Sequence, residues 1–351
     1  PGGAGTKPAA PITLAVRTED FDYELPPERI AQTPVEPRHN SRLMVLDRAN
    51  GHCLHRHFYE LGEFLNPGDL LVLNQTRVIP ARIHARKDTG GRVELLLLRR
   101  EDDVTWEALV GGKRMKTGRR LAVEGGPEAE VIEELEGSRR RIRFAEPVEP
   151  YLDHAGEMPL PPYIHTRLSD PERYQTVYAR QPGSAAAPTA GLHFTPELIE
   201  RLKGQRVQFA TLTLHVGLDT FAPVTEDDPT EHLIHTEWRE VTPSAAEAVN
   251  VARRAGKRVI AVGTTSVRTL ESAASEDGTL RPVSGPTDLF ILPGYRFKVV
   301  DAMITNFHLP KSTLLMLVSA FAGRERILAA YREAIQAEYR FFSFGDAMLI
   351  A

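Results

Sequence analysis

The sequence changes its pattern near Pro150, and this change constrains the possible fold more than any other feature. Before it, at residues 69–148, short β-rich runs alternate with glycine-bearing turns, which is typical of a small antiparallel barrel or sandwich. After it, strand-like runs alternate with helix starts, which is typical of a layered α/β domain. We therefore predict an α/β fold, in which a layered α/β large domain (21–68 and 151–351) is interrupted by a small antiparallel β-barrel domain (69–150).

Two kinds of local signal support this division. The β-rich block has five strand-like runs, namely Leu70 to Leu73, Val93 to Leu98, Trp106 to Val110, Ala129 to Ile132 and Arg141 to Phe144. In the later part, three residues are predicted to cap helix N-termini because a hydroxyl side chain precedes a helical run there. These are Thr195, Thr242 and Ser312.

Composition excludes several classes of protein. The chain has 351 residues, of which 42% are hydrophobic and 26% charged, the balance of an ordinary globular protein. Cys53 is the only cysteine, which rules out intramolecular disulfides, cysteine-rich zinc sites and cysteine-bound iron–sulfur clusters. No apolar run approaches the roughly 20 residues of a membrane helix, so we expect no membrane association and a cytoplasmic location. Residues 1–20 are expected to be a flexible leader rather than a signal peptide.

A segment rich in small residues, 183–191, lies just before His193 and the predicted cap at Thr195. Small residues let the backbone approach a ligand closely, and a helix N-terminus favours an anionic group. The alternative is a flexible linker with His193 packed near a helix end, and the spacing favours neither.

Two strand-to-helix turns are further candidates for a ligand site. Residues 263–268 read GTTSVR after an apolar strand, and residues 305–312 read TNFHLPKS after another. Open α/β sheets bind ligands outside the carboxyl ends of their strands, so the two turns are expected side by side at one pocket. The dinucleotide pattern GxGxxG and the phosphate-loop pattern GxxxxGK[ST] are both absent from the sequence.

Other polar residues leave alternatives open. His215 lies on a polar strand face that could line a pocket or face solvent. His232, His235 and Glu237 invite a metal-site interpretation, but their spacing fits neither a helical pair nor a strand alternation, and acid–imidazole pairing is favoured. The net charge of −4 means that an anion-binding surface must be a local patch.

Two basic clusters in the β-rich block could form such a patch for RNA phosphates. They are residues 113–120, KRMKTGRR, and residues 139–143, RRRIR. Ordinary solubilising charge on strand faces explains them equally well, because residues 124–136 supply acid nearby.

Taken together, many segments resemble the ribosyltransferase-isomerase family of queuosine biosynthesis. The resemblance runs from about residue 20 to the C-terminus, with its motifs in the family's order. The matching segments are FDYELP (21–26), IAQ (30–32), Arg38, SRL (41–43), LNQTRVIPAR (73–82), PPYI (161–164), YQTVYA (174–179), AAPTAGLHF (186–194), LHVG (214–217), GTTSVR (263–268), FILPGY (290–295) and TNFHLP (305–310). Asp219 departs from the family pattern, which tends to have glycine before the Thr220-Phe221 pair, so its contacts are in doubt.

The resemblance implies a reaction and its partners. The ribosyl part of S-adenosylmethionine would be transferred and isomerised onto 7-aminomethyl-7-deazaguanine, at the wobble position of a tRNA with a GUN anticodon. The products would be epoxyqueuosine-tRNA, adenine and methionine. S-adenosylmethionine would be consumed as a co-substrate, with no permanently bound cofactor and no metal, by a monomer or homodimer.

The resemblance also implies site residues. Proton transfers near neutral pH suit histidine, so His193, His215 and His308 are the candidate catalytic residues, and we favour His193 as the base. Predicted S-adenosylmethionine contacts are Thr189, Gly191, Gly263, Thr264, Thr265, Arg268, Thr305, Asn306 and Phe307. Predicted tRNA contacts are Tyr174, Gln175, Arg38, Arg42, Arg77, Arg119 and Arg120. A tRNA-binding protein that kept the fold without the chemistry is the alternative function, and metal-dependent hydrolysis through His232, His235 and Glu237 is a weaker one.

Overall fold

The computed structural model describes residues 16–217, 223–234 and 236–351. Within them, the strands in chain order are β1 (Arg42–Leu46), β2 (Cys53–His57), β3 (Leu70–Asn74), β4 (Thr76–Val78), β5 (Arg82–Lys87), β6 (Arg92–Arg100), β7 (Thr105–Val110), β8 (Arg120–Val123), β9 (Glu128–Glu134), β10 (Arg139–Phe144), β11 (Gly156–Glu157), β12 (Gln181–Ser184), β13 (Gln208–Leu214), β14 (Glu237–Val241), β15 (Val259–Val262), β16 (Val283–Thr287), β17 (Ala302–Asn306) and β18 (Ala347–Ile350). The α-helices are α1 (Glu149–Ala155), α2 (Pro196–Gly204), α3 (Pro243–Arg254), α4 (Thr264–Ala273), α5 (Thr313–Ala322) and α6 (Arg324–Gln336).

Among the described residues, the larger sheet has nine strands in the order β16-β14-β13-β3-β15-β17-β18-β1-β2. Its centre, β13-β3-β15-β17, is parallel. Helices α3 to α6 contribute to the hydrophobic core on one face of the sheet, and α2 contributes to the core on the other. This is the layered α/β architecture expected from the alternation of strands and helices.

The smaller sheet closes on itself. Strands β5, β6, β7, β10, β9 and β8 are antiparallel neighbours, and the pairing of β5 with β8 closes a six-stranded barrel that β11 extends. The barrel has its own hydrophobic core around Trp106, Val131 and Phe144. The predicted fold class, an α/β domain with a small antiparallel barrel, is confirmed.

One strand was assigned to the wrong sheet. We placed the run Leu70 to Leu73 in the barrel, at the start of an insertion at 69–150, but β3 is a central strand of the large sheet. Leu70 and Val72 face one core while Leu71 and Leu73 face the other, so the strand is buried on both sides. A strand buried on both faces is a continuous apolar run, and such a run does not reveal which sheet it joins.

The three predicted helix caps are confirmed. The side-chain oxygens of Thr195, Thr242 and Ser312 accept hydrogen bonds from the backbone N–H three residues later, at 3.2 to 3.3 Å. In the described part of the chain, no helix has the length and apolarity needed to cross a membrane.

Candidate active site

The carboxyl ends of the parallel strands meet at one edge of the large sheet. Leu73 of β3 and Ile304 of β17 both pair with Val262 of β15. The turns that follow β15 and β17 are therefore neighbours, as predicted from their sequences. Gly263 begins the first turn with φ +89°, a conformation that glycine adopts without strain. Its N–H donates to the Ile304 carbonyl at 2.8 Å, which fixes one turn against the other.

A cleft of about 510 Å³ opens between these turns. Its wall is made of hydroxyl, amide, imidazole and aromatic side chains together with small residues. The lining residues are Ala187, Pro188, Thr189, Ala190, Val216, Gly263, Thr264, Thr265, Thr305, Asn306, Phe307, His308, Leu309, Leu314, Phe342 and Ser343. Seven of the nine predicted S-adenosylmethionine contacts are in this wall, and Gly191 and Arg268 are not.

Asn306 gives the cleft a buried polar atom without a hydrogen bond. Its Nδ2 donates to the Phe342 carbonyl at 2.9 Å, so the orientation of the amide is fixed by an oxygen that can only accept. Its Oδ1 is buried and makes no hydrogen bond of ordinary geometry, but the His193 side chain lies close enough to interact with it. An acceptor left in this state costs stability unless a ligand satisfies it.

His308 lies in the cleft wall and is held from two sides. Its Nε2 is 2.7 Å from Thr305 Oγ1, and its backbone N–H donates to the Tyr331 hydroxyl at 2.9 Å. Burial lowers the pKa of His308 to about 3. The ring is therefore neutral at physiological pH.

His193 lies between the cleft and a second pocket, whose wall it forms together with Ser41 and Arg340. Its Nδ1 is 2.7 Å from Ser41 Oγ, and its buried Nε2 makes no hydrogen bond of ordinary geometry. Burial, followed by the charges of Arg340 and Arg38, lowers the pKa of His193 to about 3. The nearby Asn306 amide acts in the opposite direction, so His193 and the cleft residue Asn306 are neighbours.

His215 is set back from the cleft, although Val216 beside it contributes to the wall. Its Nδ1 is 2.8 Å from Thr76 Oγ1, and its ring stacks on Trp238 with centroids 5.2 Å apart. Burial lowers the pKa of His215 to about 4. These contacts give it a packing role between strands.

Arg268 does not line the cleft, contrary to its predicted role. It is buried one helical turn behind the wall and forms an ion pair with Glu237 of β14. Its Nε also donates to the Leu289 carbonyl at 3.1 Å. The pair ties α4 to the antiparallel edge of the sheet.

The segment rich in small residues is packed rather than a flexible linker. Residues Thr189–His193 form a 3₁₀-helix, and Ala185, Ala186 and Ala187 before it are buried. A Cβ on Gly191 would lie 2.1 Å from the Tyr178 hydroxyl, so the packing of Tyr178 requires glycine at this position. Residues 187–190 do reach the cleft, which keeps Thr189 a predicted contact.

Two of the residues predicted to contact tRNA are interior. The Gln175 side chain makes two hydrogen bonds with the backbone of Val78, at 2.8 and 3.0 Å. Tyr174 is fully buried and packs against Phe344. Both stabilise the loop that surrounds the site, and neither can touch RNA without a rearrangement.

The three predicted arginines outside the barrel differ in their surroundings. Arg42 stacks on the Tyr339 ring at 3.7 Å, away from both pockets. Arg77 is paired with Glu172. Arg38 lines the second pocket and remains a candidate contact.

The two basic clusters of the barrel also differ in how far their arginines are paired with carboxylates. In residues 139–143, Arg139 pairs with Glu107 at 3.1 Å and Arg141 with Glu101 at 2.6 Å. In residues 113–120, Arg119 pairs with Asp88, whereas Arg120 and the side chains at 113, 114 and 116 are exposed. Nearby carboxylates thus offset much of the charge of residues 139–143. Residues 113–120 are therefore the better candidate for binding a polyanion.

The metal-site interpretation gains no support. His232 Nδ1 is 2.9 Å from Glu226 Oε2, and Glu237 is the partner of Arg268. In the three described ranges, no group of three or more His, Cys, Asp or Glu residues is arranged to hold a metal ion. His235 and Asp219 lie outside the described residues.

Sequence reasoning missed the segment that precedes β18. Phe342 and Ser343 line the cleft, and Arg340 lines the second pocket. Strand β18 runs antiparallel to β17, with Ala347 opposite Asn306, so the residues before β18 arrive at the carboxyl end of β17. The aromatic pattern FFSFG at 341–345 could have indicated this segment. The sequence did not predict the direction of β18, which brings the segment to the cleft.

Comparisons with known proteins agree with these features. A family model described as a queuosine biosynthesis protein matches residues 18–350. A relative from Symbiobacterium thermophilum, an S-adenosylmethionine:tRNA ribosyltransferase-isomerase, is 58% identical over 340 residues, which is 95% of this chain and 100% of the relative. A relative of the same description from Moorella thermoacetica is 57% identical, with the same coverage. The crystal structure of an S-adenosylmethionine tRNA ribosyltransferase from Thermotoga maritima is 44% identical, with a TM-score of 0.56 and coverage of 95% and 100%.

Proposed function

This chain belongs to the queuosine biosynthesis protein family, and we propose that the cleft at the carboxyl edge of its large sheet is where S-adenosylmethionine reacts. The chain is an enzyme of that family, as its motifs predicted. It transfers and isomerises the ribosyl moiety of S-adenosylmethionine onto 7-aminomethyl-7-deazaguanine in tRNA, and it releases adenine and methionine. Because tRNA is the substrate, we also infer a cytoplasmic location, and we retain the GUN anticodon as the expected tRNA class.

The Asn306 amide is the observation that carries the assignment of the cleft. Its Oδ1 makes no hydrogen bond of ordinary geometry and lies beside His193, so it can accept from a ribose hydroxyl or an adenine amino group, both of which S-adenosylmethionine supplies. Phe342 and Leu314 provide apolar surface for the adenine ring, and Thr264 and Thr305 provide further hydroxyls.

His193 is our candidate for the proton-transfer residue. A sulfonium acidifies the protons on the adjacent C5′, so a positioned neutral base can remove one. His193 is neutral, and its Nε2 makes no hydrogen bond of ordinary geometry, with the Asn306 amide beside the ring. His308 is also neutral, but its Nε2 already contacts the Thr305 hydroxyl.

The barrel cluster 113–120 is our candidate for a tRNA backbone surface. Its exposed side chains lie on a barrel that has no part in the cleft wall. Phosphate contacts of this kind strengthen binding to every tRNA sequence, because they read charge rather than bases.

The decisive experiment is incubation with S-adenosylmethionine and tRNA that carries the deazaguanine precursor, followed by nucleoside mass spectrometry. Wild type should form epoxyqueuosine, and His193→Ala should lower turnover by about 10²-fold or more with little change in S-adenosylmethionine affinity. His215→Ala is the control, since His215 is set back from the cleft. Near-normal turnover of His193→Ala would transfer the role to His308. A wild type that binds tRNA without forming product would favour the non-catalytic alternative.

A further inference from the structure

The second pocket, which we call the arginine pocket, is lined by Arg38, Arg173 and Arg340. It adjoins the cleft directly, because Ser343 lines both. His193 lies between them and senses the charges of Arg340 and Arg38. A ligand in the arginine pocket would therefore be next to the groups that react in the cleft.

Main-chain oxygens hold the guanidinium groups in place without neutralising them. Arg38 and Arg340 each donate two hydrogen bonds to backbone carbonyls, at 2.5 to 3.0 Å. Arg173 donates to the Val35 carbonyl at 3.3 Å and has a carboxylate partner, Glu36. A guanidinium has five N–H donors, so each arginine retains donors for a ligand after these bonds.

Nearby carboxylates offset part of the positive charge of the pocket: Glu36, Asp170 and Glu172 act on Arg38, and Asp346 interacts with Arg340. Burial, followed by the charge of Arg173, lowers the pKa of Arg38, and the surrounding carboxylates oppose this shift. In the described structure, Glu36 is the one carboxylate that forms an ion pair with these three arginines, so their convergence on one cavity favours binding of an anion.

We propose that the arginine pocket binds one backbone phosphate of the tRNA, adjacent to the nucleotide that is modified in the cleft. The inference rests on the proposed function, because it uses the cleft as the place of reaction. Arginine suits this task since its planar donors match two phosphate oxygens at once.

The other oxyanion that could reach the pocket is the carboxylate of S-adenosylmethionine. That carboxylate is accompanied by an α-ammonium group and a sulfonium, so the molecule as a whole is cationic. Three arginines attract the carboxylate but repel the two cations beside it. A phosphodiester has one negative charge and no neighbouring cation, which favours the RNA.

The test uses anticodon stem-loop RNAs that carry the precursor base and one neutral methylphosphonate linkage at a time. Wild type should lose about 10-fold in affinity at one linkage near the wobble nucleotide. Arg340→Gln should lose a similar factor with unmodified RNA and should be insensitive to that linkage, because the same contact is already absent. Arg340→Lys, which retains the charge, should recover part of the affinity. Arg173→Gln repeats the test at an arginine with one main-chain bond.

Arg29→Gln is the matched control for Arg173→Gln. Like Arg173, Arg29 pairs with one carboxylate, that of Glu338 at 2.5 Å, but it lies outside the arginine pocket. It should keep wild-type affinity and wild-type sensitivity to the linkage. The proposal would be overturned if every methylphosphonate linkage lowered the RNA affinity of Arg340→Gln by the same factor as that of wild type. It would also be overturned by an unchanged RNA affinity with a raised KM for S-adenosylmethionine, which would assign the pocket to the carboxylate.

Product formation in the same samples separates this inference from the proposed function. Suppose that wild type forms product but that no linkage shows a sensitivity which Arg340→Gln abolishes. That result refutes the phosphate pocket and leaves the proposed function intact. Wild type that shows the expected linkage pattern but forms no product refutes the proposed chemistry and leaves the phosphate pocket supported.

Discussion

Lowering the pH from 7 to 5 should destabilise the α/β domain through two histidines that remain neutral when folded. The pKa of His193 and that of His308 are both about 3 in the folded chain, lowered by burial in each case. In the unfolded chain a histidine has a pKa of about 6.5. As the pH falls through 6.5, protons therefore bind the unfolded state first. Stability is fully present above about pH 6.5, decreases below it, and stops decreasing near pH 3.

The size of the effect follows from the two pKa values. Between pH 7 and 5, a histidine that titrates only in the unfolded state removes about 2 kcal/mol of folding free energy. His193 and His308 together should therefore remove about 4 kcal/mol, and His215, whose pKa burial lowers to about 4, should remove nearly as much as either of them, against the roughly 5 to 15 kcal/mol of a typical domain.

Urea unfolding at both pH values measures this directly. The chain has two tryptophans, Trp106 in the barrel core and Trp238 on β14, so a Trp106→Phe background makes Trp238 fluorescence report on the large sheet. In that background, the loss between pH 7 and 5 should be about 2 kcal/mol smaller for His308→Asn than for the parent. His52→Asn, at an exposed position, is the control. A His308→Asn variant with the parent's full pH dependence would refute the neutral-histidine reasoning.

Three further results are expected. Glu237→Gln should cost about 3 to 5 kcal/mol in chemical denaturation, because it leaves the buried charge of Arg268 unpaired, and a loss below about 1 kcal/mol would contradict this. Replacing Arg119 and Arg120 with Ala should weaken tRNA binding and flatten its salt dependence while the KM for S-adenosylmethionine is unchanged. Arg141→Ala, whose side chain is held by Glu101, should leave tRNA affinity unchanged, and an equal loss in both variants would count against cluster 113–120 as the tRNA surface. Turnover should survive a chelator, and activity restored only by a stoichiometric divalent ion would contradict the metal-free reaction.

The sequence predicted those features that depend on neighbouring residues. The caps at Thr195, Thr242 and Ser312 depend on a hydroxyl and a backbone N–H three residues later, so the local pattern was sufficient. The turns after β15 and β17 were also identified, because carboxyl ends of parallel strands meet at one edge of a sheet. The motifs predicted the family, and the comparisons confirmed it.

Only the tertiary structure decided which distant residues meet. The run Leu70 to Leu73 could belong to either sheet, and strand pairing placed it at the centre of the larger one. The antiparallel direction of β18 brings Arg340 to one pocket and Ser343 to both. Arg268 pairs with Glu237, 31 positions away in the chain, a contact that its turn motif did not predict. Local patterns specify turns and caps, whereas strand order and ion pairing depend on contacts between segments far apart in sequence, and a single sequence does not state which of those contacts form.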